Sequence, residues 1–106
     1  MAIFNELQEE NQNERRFIIK RSGKQVPYEP IKIRHAIEAA NAEEKREAKK
    51  LSTAQIDNIV DVITADVFHS DRAFSVEEIQ EKVLDEIFVS GKKSVYDLYR
   101  DYRNKH

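Results

Sequence analysis

The sequence has no cysteine among its 106 residues. That excludes disulfides, a Cys-ligated zinc, a thiol nucleophile and an iron–sulfur cluster. It has no tryptophan and only two glycines and two prolines. With so few glycines, neither a Walker loop nor a dinucleotide-binding fingerprint can be written. The three histidines are His35, His69 and His106, and no Gly-x-Ser-x-Gly turn surrounds any serine. Nothing in the spacing raises a nucleophile–base pair above background. No apolar run is long enough to span a membrane, and no signal-peptide pattern opens the chain. A cytoplasmic protein without a membrane partner is therefore expected. Charge of one sign is also lacking: 18 Lys and Arg face 20 Asp and Glu, for a net charge of −2. Global basicity gives no case for nucleic acid as a partner.

What remains is one domain's worth of chain, 36% charged and 40% hydrophobic. Residues 1–16 are polar apart from Ala2, Ile3, Phe4 and Leu7 and read as a flexible tail. At Phe17-Ile18-Ile19 the composition turns β-branched and aromatic. Two short strands around Gly23 predict a hairpin, with Ile19 on its packing face and Pro27 marking an edge. Pro30 suits a first helical turn, and Ile33, Ala36, Ile37 and Ala40 keep helical spacing over about 30–42. The charged run from Asn41 to Lys50 reads as a solvated connection or a helix extension with few core contacts.

Ser52-Thr53-Ala54-Gln55 and Ser75-Val76-Glu77-Glu78 are capping boxes. Behind the first, Ile56, Ile59, Val60, Ile63 and Val67 form one apolar face. Behind the second, Ile79, Val83, Leu84 and Ile87 repeat it. Gly91 fits a helix C′ position, and a last helix from about residue 92 carries Val95, Leu98, Tyr99 and Tyr102. A short strand near residues 72–74 is expected to join the hairpin. The fold class is α+β, mostly α: four helices and a small three-stranded sheet, with residues 17–106 as one domain.

The hairpin is where chemistry concentrates. Lys20, Arg21 and Lys24 surround Gly23, and Lys32 follows in the first helical turn. Cations beside a tight turn and a helix start suit phosphate, Lys as a point charge and Arg as a planar fork. The bland alternative is a solvated basic turn. Asp97 and Asp101 are i,i+4 carboxylates, which usually mean a solvated helix face rather than a metal site. No metal ligands are assigned.

The order of these segments resembles the ATP-cone family. Ile18-Ile19-Lys20-Arg21-Ser22-Gly23, then Val26-Pro27-Tyr28, then Ile31-Lys32-Ile33 look like its opening. Phe74 to Val83 resembles the start of its third helix, and Tyr99-Arg100-Asp101-Tyr102-Arg103 its closing segment. Together the matches span residues 17–103. The resemblance implies a four-helix bundle capped by a three-stranded sheet, with ATP or dATP between them. It also implies an allosteric regulatory role, controlling overall activity of a ribonucleotide reductase, with the anaerobic type as first choice of parent. With no cysteine for thiyl radical chemistry, the chain is expected not to be an enzyme but a regulatory domain, a fragment of an enzyme or encoded alone.

Residue by residue, the resemblance sets Ile18 beside the base, Lys20 and Arg21 on phosphate, and Lys32 towards phosphate with Ile33 against the nucleoside. Val76 and Gln80 lie near the base, and Arg103 or Lys105 reaches phosphate from the last helix. Some family members carry an acidic residue where Val26 stands and an Asn near Glu29, so the ribose contacts are unassigned. Tyr99 and Tyr102 read as packing rather than stacking platforms. Mg²⁺ is an open companion of the nucleotide. Expected partners are the catalytic domain of the parent reductase and further copies of the chain under nucleotide control. The alternatives are a fragment of a nucleotide-responsive transcriptional regulator, or a nucleic-acid-binding accessory domain built on the same basic hairpin.

Overall fold

The computed structural model describes residues 16–105. The tail expected over residues 1–16 therefore lies outside the described residues, except for Arg16. Three strands and four α-helices follow in order. These are β1 (Phe17–Ile19), β2 (Gln25–Pro27), α1 (Pro30–Glu43), α2 (Thr53–His69), β3 (Phe74–Ser75), α3 (Val76–Val89) and α4 (Lys93–Lys105). A single 3₁₀ turn, Glu47–Lys49, lies between α1 and α2.

The hairpin closes through a three-residue loop. Gly23 N–H donates to the Lys20 carbonyl at 2.8 Å, and Lys20 N–H donates to the Lys24 carbonyl at 2.8 Å. Gly23 has φ +89°, the left-handed value that ends such a loop and that L side chains resist. β1 is central in the order β2-β1-β3, antiparallel to β2 and parallel to β3. β2 is thus an edge, where Pro27 sacrifices no interior ladder bond. The third strand is Phe74–Ser75 rather than 72–74, because Ser75 both pairs with Ile19 and caps α3.

A three-stranded sheet this short needs an apolar support. Ile18 and Phe74, paired in register, pack against the buried core. Strand alternation then turns Ile19 to the opposite face, so the packing residue is Ile18 rather than the expected Ile19. Tyr28 anchors the hairpin to α2: it is buried, and its hydroxyl lies 2.7 Å from Thr64 Oγ1. Burial pushes the Tyr28 phenol above its ordinary pKa, against the lowering effect of the Thr64 bond.

The helices form a ring in which α1 packs on α2 and α4, and α3 packs on the same two. Ile37, Ile59, Ile63, Val83, Ile87 and Val95 are its fully buried centre. Both capping boxes form: Ser52 accepts from Gln55 N–H and Ser75 from Glu78 N–H, each reciprocated by the side chain three residues on. Gly91 ends α3 with φ +79°.

The charged connection departs from expectation. α1 stops at Glu43, and Glu44 is buried at 5% exposure. Its carboxylate accepts from the Arg46 backbone N–H at 3.0 Å, from Nε and Nη2 of the same arginine at 3.1 and 2.9 Å, and from Ser94 Oγ. These bonds hold its pKa well below the usual carboxylate range, the Arg46 side chain contributing most. Asn41 closes the loop by exchanging two hydrogen bonds with the backbone of buried Leu51. The connection is tied to the bundle at both ends because buried polar groups must find partners.

Candidate functional site

A cleft opens where the hairpin turn, the first half of α3 and the last turn of α4 meet. It has two adjoining lobes. One, of about 320 Å³, is lined by Lys20, Arg21, Ser22, Val76, Glu77, Gln80 and Arg103. The other, of about 480 Å³, shares Arg21, Glu77, Gln80 and Arg103 and adds Glu81, Asn104 and Lys105. Small-molecule sites span about 300–1,000 Å³, so either lobe is of ligand size.

Each wall follows from local structure. Lys20 lies two residues beyond Ile18, so the strand's period of two carries it to the same side of the sheet as Ile18. The three-residue loop then turns Arg21 and Ser22 over the start of α3. On α3, Val76, Gln80 and Glu77, Glu81 are two i,i+4 pairs, which places them on adjoining strips of one helix face. The Ser75–Glu78 capping box fixes that helix start. Arg72 braces it from outside through two bonds to the Glu78 carboxylate, at 3.0 and 2.6 Å. Those bonds first, then the Ser75 backbone N–H, hold the Glu78 pKa down to about 2 from an ordinary 4.5. Arg103, in the last turn of α4, is largely covered and ion-paired to Glu81.

Five of the eight residues singled out from the sequence therefore line one cleft: Lys20, Arg21, Val76, Gln80 and Arg103. Ile18, Lys32 and Ile33 line neither lobe. Ile18 and Ile33 pack against the core, while Lys32 pairs with Glu29 at 2.9 Å and points largely into solvent. Sequence reasoning passed over Ser22, Glu77, Glu81 and Asn104. The one available signal was helical spacing: Glu77 and Glu81 flank Val76 and Gln80 at the same interval. Tyr99 is buried, and that burial raises its pKa to about 12, which fits packing rather than stacking.

The lining of the cleft suits an anion beside one apolar wall. Four cations (Lys20, Arg21, Arg103 and Lys105) face two carboxylates, while Val76 and the Gln80 amide offer an apolar contact and a paired donor and acceptor. A larger cleft of about 590 Å³ lies between the 3₁₀ turn and the start of α4, near Arg46, Lys49, Lys92 and Lys93. Most of its cations are already engaged: Arg46 with Glu44, Lys92 with the Ala48 carbonyl and Lys93 with Asp97.

Fold and cleft together define a small, mostly helical α+β domain with a cationic pocket between its sheet and its bundle. Residues 16–106 match the ATP cone domain family, and the chain belongs to that family. ATP-cone domains are nucleotide-binding regulatory domains without catalytic activity, and their effectors are ATP and dATP. A comparison with curated proteins finds no match. No helix among the described residues is long and apolar enough to cross a membrane.

Proposed function

We propose that this chain is the ATP- and dATP-sensing regulatory domain of a ribonucleotide reductase in the cytoplasm, with the anaerobic type as first choice. Lys20, Arg21 and Arg103 hold the phosphates, Mg²⁺ accompanies them, and Val76 and Gln80 receive the base. Ile18, Lys32 and Ile33 stand outside the two lobes and are assigned to the nucleotide by the family resemblance alone. The convergence on one cleft of residues from the hairpin, α3 and α4 carries this reading. Radical chemistry has to come from a partner domain, because the chain offers no thiol.

A switch needs differential affinity for two states. The single closed ring of helices favours two states that differ in the surface offered to a neighbour rather than in the core. ATP and dATP differ by one 2′-hydroxyl, so one hydrogen bond must discriminate between them, worth about 1 kcal/mol where solvent can substitute. Titration calorimetry with ATP, dATP and GTP tests the assignment. The expected result is binding of both adenine nucleotides at micromolar or tighter affinity and weaker binding of GTP. Absence of ATP binding by the folded chain overturns it. Size-exclusion runs of the parent protein should show dATP, and not ATP, shifting the assembly.

A further inference from the structure

The two carboxylates in the cationic cleft are not equivalent. Glu77 and Glu81 lie one turn apart on α3. None of the ion pairs among the described residues involves Glu77. Glu81 instead holds the Nη1 of Arg103, the one arginine that α4 contributes to both lobes. The Arg103 side chain is 23% exposed and that of Glu81 60%. The arginine is thus set into the wall, while its partner stands at the mouth.

A phosphate entering the lobe presents what Glu81 already presents, anionic oxygens that accept from a planar guanidinium fork. We infer that Glu81 is a built-in competitor for Arg103: it occupies the guanidinium while the cleft is empty of polyphosphate and surrenders it when polyphosphate binds. This inference rests on reading the cleft as a nucleotide site. The exchange holds affinity below what four cations would otherwise give. It also makes the tie between α3 and the last turn of α4 depend on occupancy.

The competition has a signature that simple charge repulsion lacks. Neutralising either glutamate lessens repulsion of phosphate. Only neutralising Glu81 also frees Arg103, so only its effect depends on Arg103 being present. A double-mutant cycle isolates that dependence. Calorimetric titration of the full chain with ATP and with inorganic triphosphate would compare the wild type with Glu81→Gln, Glu77→Gln and Arg103→Gln. Each glutamate change would also be combined with Arg103→Gln. Glu81 is exposed, so its variant should fold normally.

The strength of partly exposed ion pairs sets the expected size of the effect. Glu81→Gln should tighten both ligands about two- to fivefold. Most of that gain should vanish in the Arg103→Gln background, whereas any gain from Glu77→Gln should persist there. Unchanged or weaker binding by Glu81→Gln overturns the inference while leaving the nucleotide reading intact, and so does a gain undiminished without Arg103. Binding of triphosphate but not ATP, with the Glu81 effect present, overturns the adenine assignment and keeps the competitor. Failure of wild type and Glu81→Gln to bind either ligand overturns both.

Discussion

Lys20 and Arg21 are both exposed, and the core does not use them. Charge-assisted bonds to phosphate are worth about 1.5–3 kcal/mol each, about tenfold or more in affinity. Lys20→Ala and Arg21→Ala should therefore weaken ATP binding by that factor and leave the melting temperature unchanged, as calorimetry beside thermal melts would show. Gly91 gives the opposite result. Space for a Cβ is open there, but φ is +79°. Gly91→Ala should cost about 1 kcal/mol from backbone strain alone, read as a lower urea midpoint with ATP affinity unaffected. Glu44 is the residue whose surroundings least match its sequence neighbourhood. A carboxylate inside a run of charges looks solvated, yet the return of the chain onto α4 buries it against Ser94 and Arg46.

At the scale of elements, the two capping boxes are alike in chemistry and differ in what they position. Loss of a Ser N-cap costs about 1 kcal/mol. Ser52→Ala should destabilise the domain by that amount and leave ATP affinity as it is, because α2 lines neither lobe. Ser75→Ala should destabilise it similarly and also weaken ATP, because the freed first turn of α3 carries Val76 and Glu77. The second box is pH-sensitive as well. The folded-state pKa of Glu78 is lowered to about 2 from 4.5, first by Arg72 and then by the Ser75 backbone N–H. A lowered carboxyl pKa contributes stability above its unfolded value and loses it as pH falls through the folded one. Urea melts should show wild type losing its advantage over Glu78→Gln progressively from about pH 5 down towards pH 2.

For the whole molecule, one closed ring of helices carries the stability, and the sheet rides on it through Ile18, Phe74 and Tyr28. Ile63 has no exposed surface. Its truncation to alanine should cost about 2–5 kcal/mol, a large share of the 5–15 kcal/mol typical of a domain. Saturating ATP should offset part of that loss. At 100 times its dissociation constant a ligand adds about 2.7 kcal/mol, so the Ile63→Ala melting curve should recover towards wild type in ATP. When Lys20→Ala is added, a site about tenfold weaker should cut that recovery to about 1.4 kcal/mol at the same ATP concentration.

The amino-acid sequence by itself determined the parts that depend on local physics. Helical spacing marked the four apolar faces. Ser52 and Ser75 marked two helix starts, Gly23 and Gly91 two positive-φ stops, and Phe17–Ile19 a strand, because caps, turns and periodicity act over a few residues. Candidate ligand groups on the hairpin and α3 were legible for the same reason, as residue types in order along the chain. Only the tertiary structure decided which of them meet. Arg103 shares a cleft with Arg21 and Gln80 because α4 packs along α3, while Lys32 turns outward to Glu29. Ile18 rather than Ile19 faces the core because pairing with Phe74 sets the sheet's face. Glu44 is buried, and Glu81 is paired to Arg103, because segments 50 and 22 residues apart come into contact. Those choices depend on long-range packing, which sets partners across space and leaves no periodic trace in the sequence.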